Sequence, residues 1–200
     1  MTDTNKLINN GDQIVFSVFE FNSLNIIETV LKKDINEKRR LYYQELALET
    51  DIVPMRGGRH YPKVVFFIPK TNPNVIIQYA NYFDGWFTLS NYISKSIKEH
   101  FYLISFSNKS SYYKAFSLSL YQEGSIKRII RAMQDPKWIF NNSGDILPIE
   151  NADYYTRKKI SDRINKEIII EYCQKLKLDI SDNNFWKSNV PALFYETIKW

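Results

Sequence analysis

Residues 101–141 decide the fold. They read FYLISFS (101–107), a polar turn at 108–111, YKAFSLSLYQ (113–122), SIKRIIRAM (125–133) and KWIFN (137–141). Within 113–122, Phe116, Leu118 and Leu120 alternate with Ser117, Ser119 and Tyr121. That is period two with one apolar face, the pattern of a half-buried antiparallel strand. Glu123-Gly124, Asp135-Pro136 and the run 142–144 (NSG) supply turn chemistry between and after the runs. Short strands with tight turns predict a β-meander.

Upstream lie three more strand candidates. Residues 13–21 (QIVFSVFEF) are β-branched and aromatic, 63–69 (KVVFFIP) form an apolar run, and 74–80 (NVIIQYA) form another. Helical spacing separates them. Leu24, Ile27, Leu31 and Ile35 share a face behind a Ser23 N-cap, and Tyr42 and Leu46 continue it, predicting one long helix or two short ones over about 24–49. Trp86, Leu89, Ile93 and Ile97 predict a helix over 86–99, with Asp84 or Thr88 as cap and His100 against its C-terminal dipole. Ile164, Ile168, Tyr172 and Leu176 mark a helix capped by Asn165 or Ser161, and 151–200 read as largely helical. The expected architecture is α+β: an antiparallel β-meander sheet packed with N-terminal and C-terminal helices. It forms one domain over residues 1–200, with 1–12 as a loose polar leader.

The chain has 200 residues, 44% hydrophobic and 24% charged, with 14 Tyr, 13 Phe and 4 Trp. These proportions exclude a disordered tail, a collagen-like repeat and a coiled-coil rod. Net charge is +5 and the pI about 9.1. The excess is spread out, and its densest run is Arg157-Lys158-Lys159. A dedicated nucleic-acid binder concentrates its cations more than this. The single cysteine, Cys173, has no disulfide partner within the chain, which fits a reducing, cytoplasmic location. No apolar run is long enough to span a bilayer.

The residues that carry chemistry are few. His60 and His100 lack Cys, His or carboxylate neighbours at metal-ligand spacing, so neither a metal nor another cofactor is expected. No nucleophile elbow, phosphate loop or dinucleotide fingerprint occurs. Cys173, beside Tyr172 on a helix, reads as a packed thiol. The most unusual exposed segment is 56–61 (RGGRHY). Glycine amides flanked by arginines suit an anion, and the same residues equally make a surface loop of solvated charges.

The segment from 137 to 186 carries a resemblance. Trp138 and Phe140 form a Trp-x-Phe strand, Gly144 a turn, and Leu147, Pro148 and Glu150 a Leu-Pro-x-Glu segment. Tyr154 and Arg157 keep a Tyr-x-x-Arg spacing, Asp162-Arg163 is an acid–base pair, and Tyr172 lies in the following helix. Asp84-Gly85-Trp86 fits as well. The chain here resembles small bacterial proteins encoded beside polymorphic toxins, as in contact-dependent growth inhibition. It departs from them in Ile149, where Phe is usual, and in Lys177, where Gly often ends the helix.

The resemblance implies an immunity protein: a non-catalytic, cytoplasmic inhibitor that binds one cognate toxin domain. Arg56, Arg59, His60 and Tyr61 are its expected partner-binding residues. Glu150, Tyr154, Arg157, Asp162 and Arg163 are expected to form a structural network of carboxylates and guanidinium groups. The alternative is a nucleic-acid-binding or nucleic-acid-processing protein using the Arg/His loop. Oligomeric state is left open.

Overall fold

The computed structural model describes residues 13–53, 61–108 and 111–199. Its elements, in chain order, begin with β1 (Gln13–Phe19), α1 (Leu24–Lys32), β2 (Arg39–Gln44), α2 (Leu48–Asp51), β3 (Lys63–Phe67), β4 (Ile76–Ala80) and α3 (Phe87–Ile97). The meander follows as β5 (His100–Ser107), β6 (Ala115–Gln122), β7 (Ser125–Asp135) and β8 (Lys137–Gly144). A 3₁₀ turn (Ala152–Thr156), α4 (Ile160–Arg163), α5 (Lys166–Lys175), a second 3₁₀ turn (Asn183–Trp186) and β9 (Ala192–Thr197) complete the order. All nine strands among the described residues form one sheet, ordered β2-β9-β3-β4-β1-β5-β6-β7-β8, with every neighbouring pair antiparallel. The expected α+β class and the antiparallel meander sheet, with helices from both halves of the chain, are what the fold has.

Strand alternation sorts the core into two layers. Phe16, Val65, Ile77, Ile104, Leu118 and Phe194 point to one face, where the C-terminal segment covers them with Tyr155, Ile168, Tyr172, Phe185 and Trp186. Phe19, Val64, Phe66, Phe101 and Tyr195 point to the other, beneath Ile27 and Leu31 of α1 and Leu89 and Ile93 of α3. The aromatic content is concentrated in these layers. The Trp186 ring meets Phe16 edge-on at 5.4 Å and Tyr79 at 6.0 Å, and its indole N–H donates to the Ile180 carbonyl at 2.9 Å. A buried Trp needs such an acceptor.

Four expectations are corrected. The helix that starts at Leu24 ends at Lys32, and the face extrapolated through Tyr42 is instead β2. The Asp34–Asn36 stretch turns the chain, with Asn36 Oδ1 accepting the Lys38 amide at 2.8 Å, and Tyr42 stacks on Phe194 across the strand pair. The C-terminal region is not largely helical, because β9 lies within it, between β2 and β3. Burial on both faces makes Ala192–Tyr195 continuously apolar, so the run shows no alternation. Neither Asp84 nor Thr88 caps α3: the cap position is Trp86, with φ 57°, and Asp84 Oδ1 accepts the Trp86 amide in the preceding turn. His100 opens β5, and α3 ends before it at a left-handed Lys98. Asn165 does cap α5, accepting the Ile168 amide at 3.0 Å. The leader 1–12 lies outside the described residues.

Candidate functional site

Strand registers place several loops at one end of the sheet. Lys63 pairs with the main chain of Asn81, Phe16 lies opposite Tyr79, and Gln13 lies opposite Ser107. Ala115 pairs with Met133, which in turn pairs with Ile139. Tyr61, the turn 81–86, the loop 111–114 and the β7–β8 turn therefore share that end. Phe83 is 84% exposed, Tyr112 87% and Tyr113 61%, the most exposed large apolar side chains among the described residues. Tyr61 and Ile139 are exposed beside them. From β3 to β8 this rim spans six strand spacings, roughly 29 Å.

The turn that presents Phe83 is held from beneath. Gly85 donates to the Tyr82 carbonyl at 3.1 Å and has φ +69°; a Cβ there would sit 2.9 Å from Val15 Cγ1. The buried Gln78 amide donates to the carbonyls of Gly85 and Trp86 at 2.9 and 3.2 Å. Trp86 packs between Tyr82 and Tyr195. Asn81 joins this turn to the strand before it, accepting the Lys63 amide and donating to the Tyr61 carbonyl, both at 2.9 Å. The tyrosine loop is anchored by Asn108, whose side-chain oxygen accepts from Lys166 Nζ at 2.8 Å and whose carbonyl accepts from Lys114 Nζ at 3.0 Å. Fixed backbones carrying solvent-exposed rings are preorganised contact groups.

Of the expected partner-binding residues, Arg56, Arg59 and His60 lie outside the described residues, and Tyr61 sits on the aromatic rim. Sequence reading missed Phe83, Tyr112 and Tyr113. The Tyr-Tyr pair inside a Ser/Asn/Lys turn was the available signal, since large rings in turn sequence have no core to enter.

The expected network divides into two. The Glu150 side chain is fully buried and its guanidinium partner is Arg128 of β7, equally buried. The pair is bidentate, Nε to Oε1 at 2.8 Å and Nη2 to Oε2 at 2.6 Å. Arg128 Nη1 donates to the Ser143 and Gly144 carbonyls at 3.0 Å each, while Glu150 also accepts the Leu147 amide and the Tyr155 hydroxyl. Gly144 has φ +84°, and a Cβ there would lie 2.0 Å from the Lys127 carbonyl oxygen. Burial pulls the Arg128 pKa down, but the bonds to Glu150 outweigh it and leave it raised. Burial, then Tyr172 and Glu150, push the Tyr155 hydroxyl up. This network fastens the C-terminal layer to the meander.

The other four residues form a local knot. Arg157 lies over the Tyr154 ring at 4.0 Å and donates to the Asp162 carbonyl at 2.8 Å. Arg163 donates to the Arg157 carbonyl at 2.7 Å and lies over Phe140. The Tyr154 hydroxyl donates to Glu171 at 2.9 Å. The Asp162 carboxylate is exposed and, among the described residues, accepts only from Ser161. Guanidinium groups here meet backbone oxygens and rings, not the carboxylates of Glu150 and Asp162.

Among the described residues no group of three His, Cys, Asp or Glu is placed to hold a metal ion. No described helix is long and apolar enough to cross a membrane. Compared with family models, curated proteins and solved structures, the chain matches none.

Proposed function

We propose that this protein is an immunity protein: a non-catalytic inhibitor that binds a cognate bacterial toxin domain through the aromatic end of its sheet. One observation carries the reading. Phe83, Tyr112 and Tyr113 collect with Tyr61 on one end of the sheet, exposed, on turns braced by buried polar side chains. Exposed rings on fixed backbone are what anchors of protein interfaces are made of. A rim of this span accommodates an interface of standard size, about 800 Å² per partner. The motif resemblance in 137–186 supports the same reading. Inhibition at low toxin copy number calls for affinity near nanomolar, about −12 kcal/mol.

The test is co-expression with the protein encoded immediately upstream of this chain's gene, which the proposal expects to carry the toxin domain, followed by pull-down and growth rescue. Wild type is expected to co-purify and to restore growth. A Phe83→Ala, Tyr112→Ala variant should keep its stability within about 1 kcal/mol, since neither ring is buried. It should lose at least about tenfold in affinity. Unchanged affinity would remove the aromatic end as the interface. No complex and no rescue by wild type would remove the immunity reading itself.

A further inference from the structure

The two edges of the sheet differ in kind. At β2 the cations are answered within the chain: Arg39 pairs with Asp34, Arg40 with Glu196, and Tyr43 bonds Glu28 of α1. At the other edge, β8 pairs with β7 alone, and all its residues are exposed or half-exposed on both faces. Within the strand 137–144 (KWIFNNSG) there is no proline to block a new partner. An edge of this length, paired with a strand on one side only, is a template for a further strand.

The cations around β8 are unanswered. Lys127, Arg131, Lys137, Lys158 and Lys159 are exposed, and none makes a salt bridge among the described residues. Register puts Arg131 beside Asn141 on one face of the edge. On the other face, Arg163 reaches over Phe140 from α4, which Lys158 and Lys159 immediately precede. The carboxylates of Asp135 and Asp145 flank the strand at its two ends. A strand laid on β8 would lie about 4.8 Å from it and about 9.6 Å from β7. Facing Lys, Arg and acidic side chains close both distances.

We infer that β8 accepts an extended, acidic segment of the partner protein as an added strand, with Lys127, Arg131, Lys158 and Lys159 pairing its carboxylates. The inference rests on the protein-binding reading above. Backbone bonds hold the segment, and the charges select it. A second copy is the wrong occupant, because joining two β8 edges would bring two sets of unanswered cations together.

The experiment measures amide exchange in β8 with and without the protein encoded immediately upstream, and affinity for that protein at two salt concentrations. Free β8 amides that face solvent are expected to exchange fast and to become protected at alternating positions in the complex. An Arg131→Glu, Lys159→Glu variant should lose about tenfold or more in affinity, most at low salt. A Lys33→Glu, Lys38→Glu control, remote from β8, should bind like wild type. A complex whose β8 amides exchange as in the free chain overturns the added strand while leaving protein binding standing. Protection without sensitivity to charge reversal overturns the acidic partner. No complex, with binding of a single-stranded oligonucleotide that charge reversal abolishes, overturns both readings in favour of nucleic acid.

Discussion

Arg128 and Glu150 carry the largest single-residue stake in this chain. Both charges are out of water, and every polar atom around them has a partner. Removing one partner of a buried pair leaves the other uncompensated, at a cost of about 3–5 kcal/mol. Glu150→Ala is therefore expected to lower the urea midpoint severely. Arg163→Ala should change the unfolding free energy by less than about 1 kcal/mol, because its guanidinium is half-exposed and bonds a carbonyl that water can satisfy. Equilibrium unfolding of the two variants checks the contrast. His100 and Glu20 form a partly exposed counterpart on the same face of the sheet, beside Tyr102. The bond to Glu20 raises the His100 pKa above 6.5, and the bond to His100 lowers Glu20 below 4.5. The histidine's share of stability is full below 6.5 and fades as pH rises through its raised value. The glutamate's share is present above 4.5 and is lost as pH falls through its lowered value. A His100→Gln variant should thus differ from wild type most between pH 4.5 and 6.5, by under about 1 kcal/mol given the exposure, and converge with it by pH 9. Denaturant midpoints across that range decide it. At this scale the sequence was partly legible. Arg128 shares the strand parity of Ile130 and Ala132, so an inward charge could be read there, but nothing local said that its partner was Glu150, 22 residues on.

Caps separate the helices that fix themselves from those fixed by packing. Asn165 accepts the Ile168 amide at the start of α5, whereas Ser23 occupies the cap position of α1 without a side-chain bond. Asn165→Ala should cost about 1 kcal/mol and Ser23→Ala almost nothing, as thermal unfolding of the pair would report. Helix α1 owes its stability to Leu24, Ile27, Val30 and Leu31 against the sheet. Strands of the meander were readable because only one face of β6 needs apolar residues. β9 was not, because its buried run Ala192–Tyr195 shows no alternation and lacks the β-branched residues that marked β3 and β4. β2 was masked by coincidence: Tyr42 and Leu46 continue the spacing of Leu24 to Ile35, and only turn chemistry at 34–36 tells the two apart.

The whole molecule divides its labour by side. C-terminal elements and the Arg128–Glu150 pair secure one face, α1 and α3 secure the other, and the exposed rings gather at one end. Of that end, Tyr61 alone was among the residues named from sequence. Exposure depends on which loops share an end, and that follows from strand order, which periodicity does not encode. Strand order also concentrates stability at β9, whose Leu193, Phe194 and Tyr195 are fully buried and whose backbone joins β2 to β3. A chain stopped before Ala192 is expected to lose cooperative unfolding and to appear in the insoluble fraction on expression. A sharp unfolding transition in such a chain would contradict the importance given to this strand.

That placement has a consequence for how the protein comes into being. A ribosome delivers β5 to β8 in the order in which they pair, so the meander can zip up from local contacts while the chain is still growing. β2 and β3 emerge much earlier, yet each must wait, with an open edge, for β9, which is made after β4 to β8. The nascent protein therefore passes through a stage with a slot in its sheet, and release of β9 from the exit tunnel is the event that shuts it.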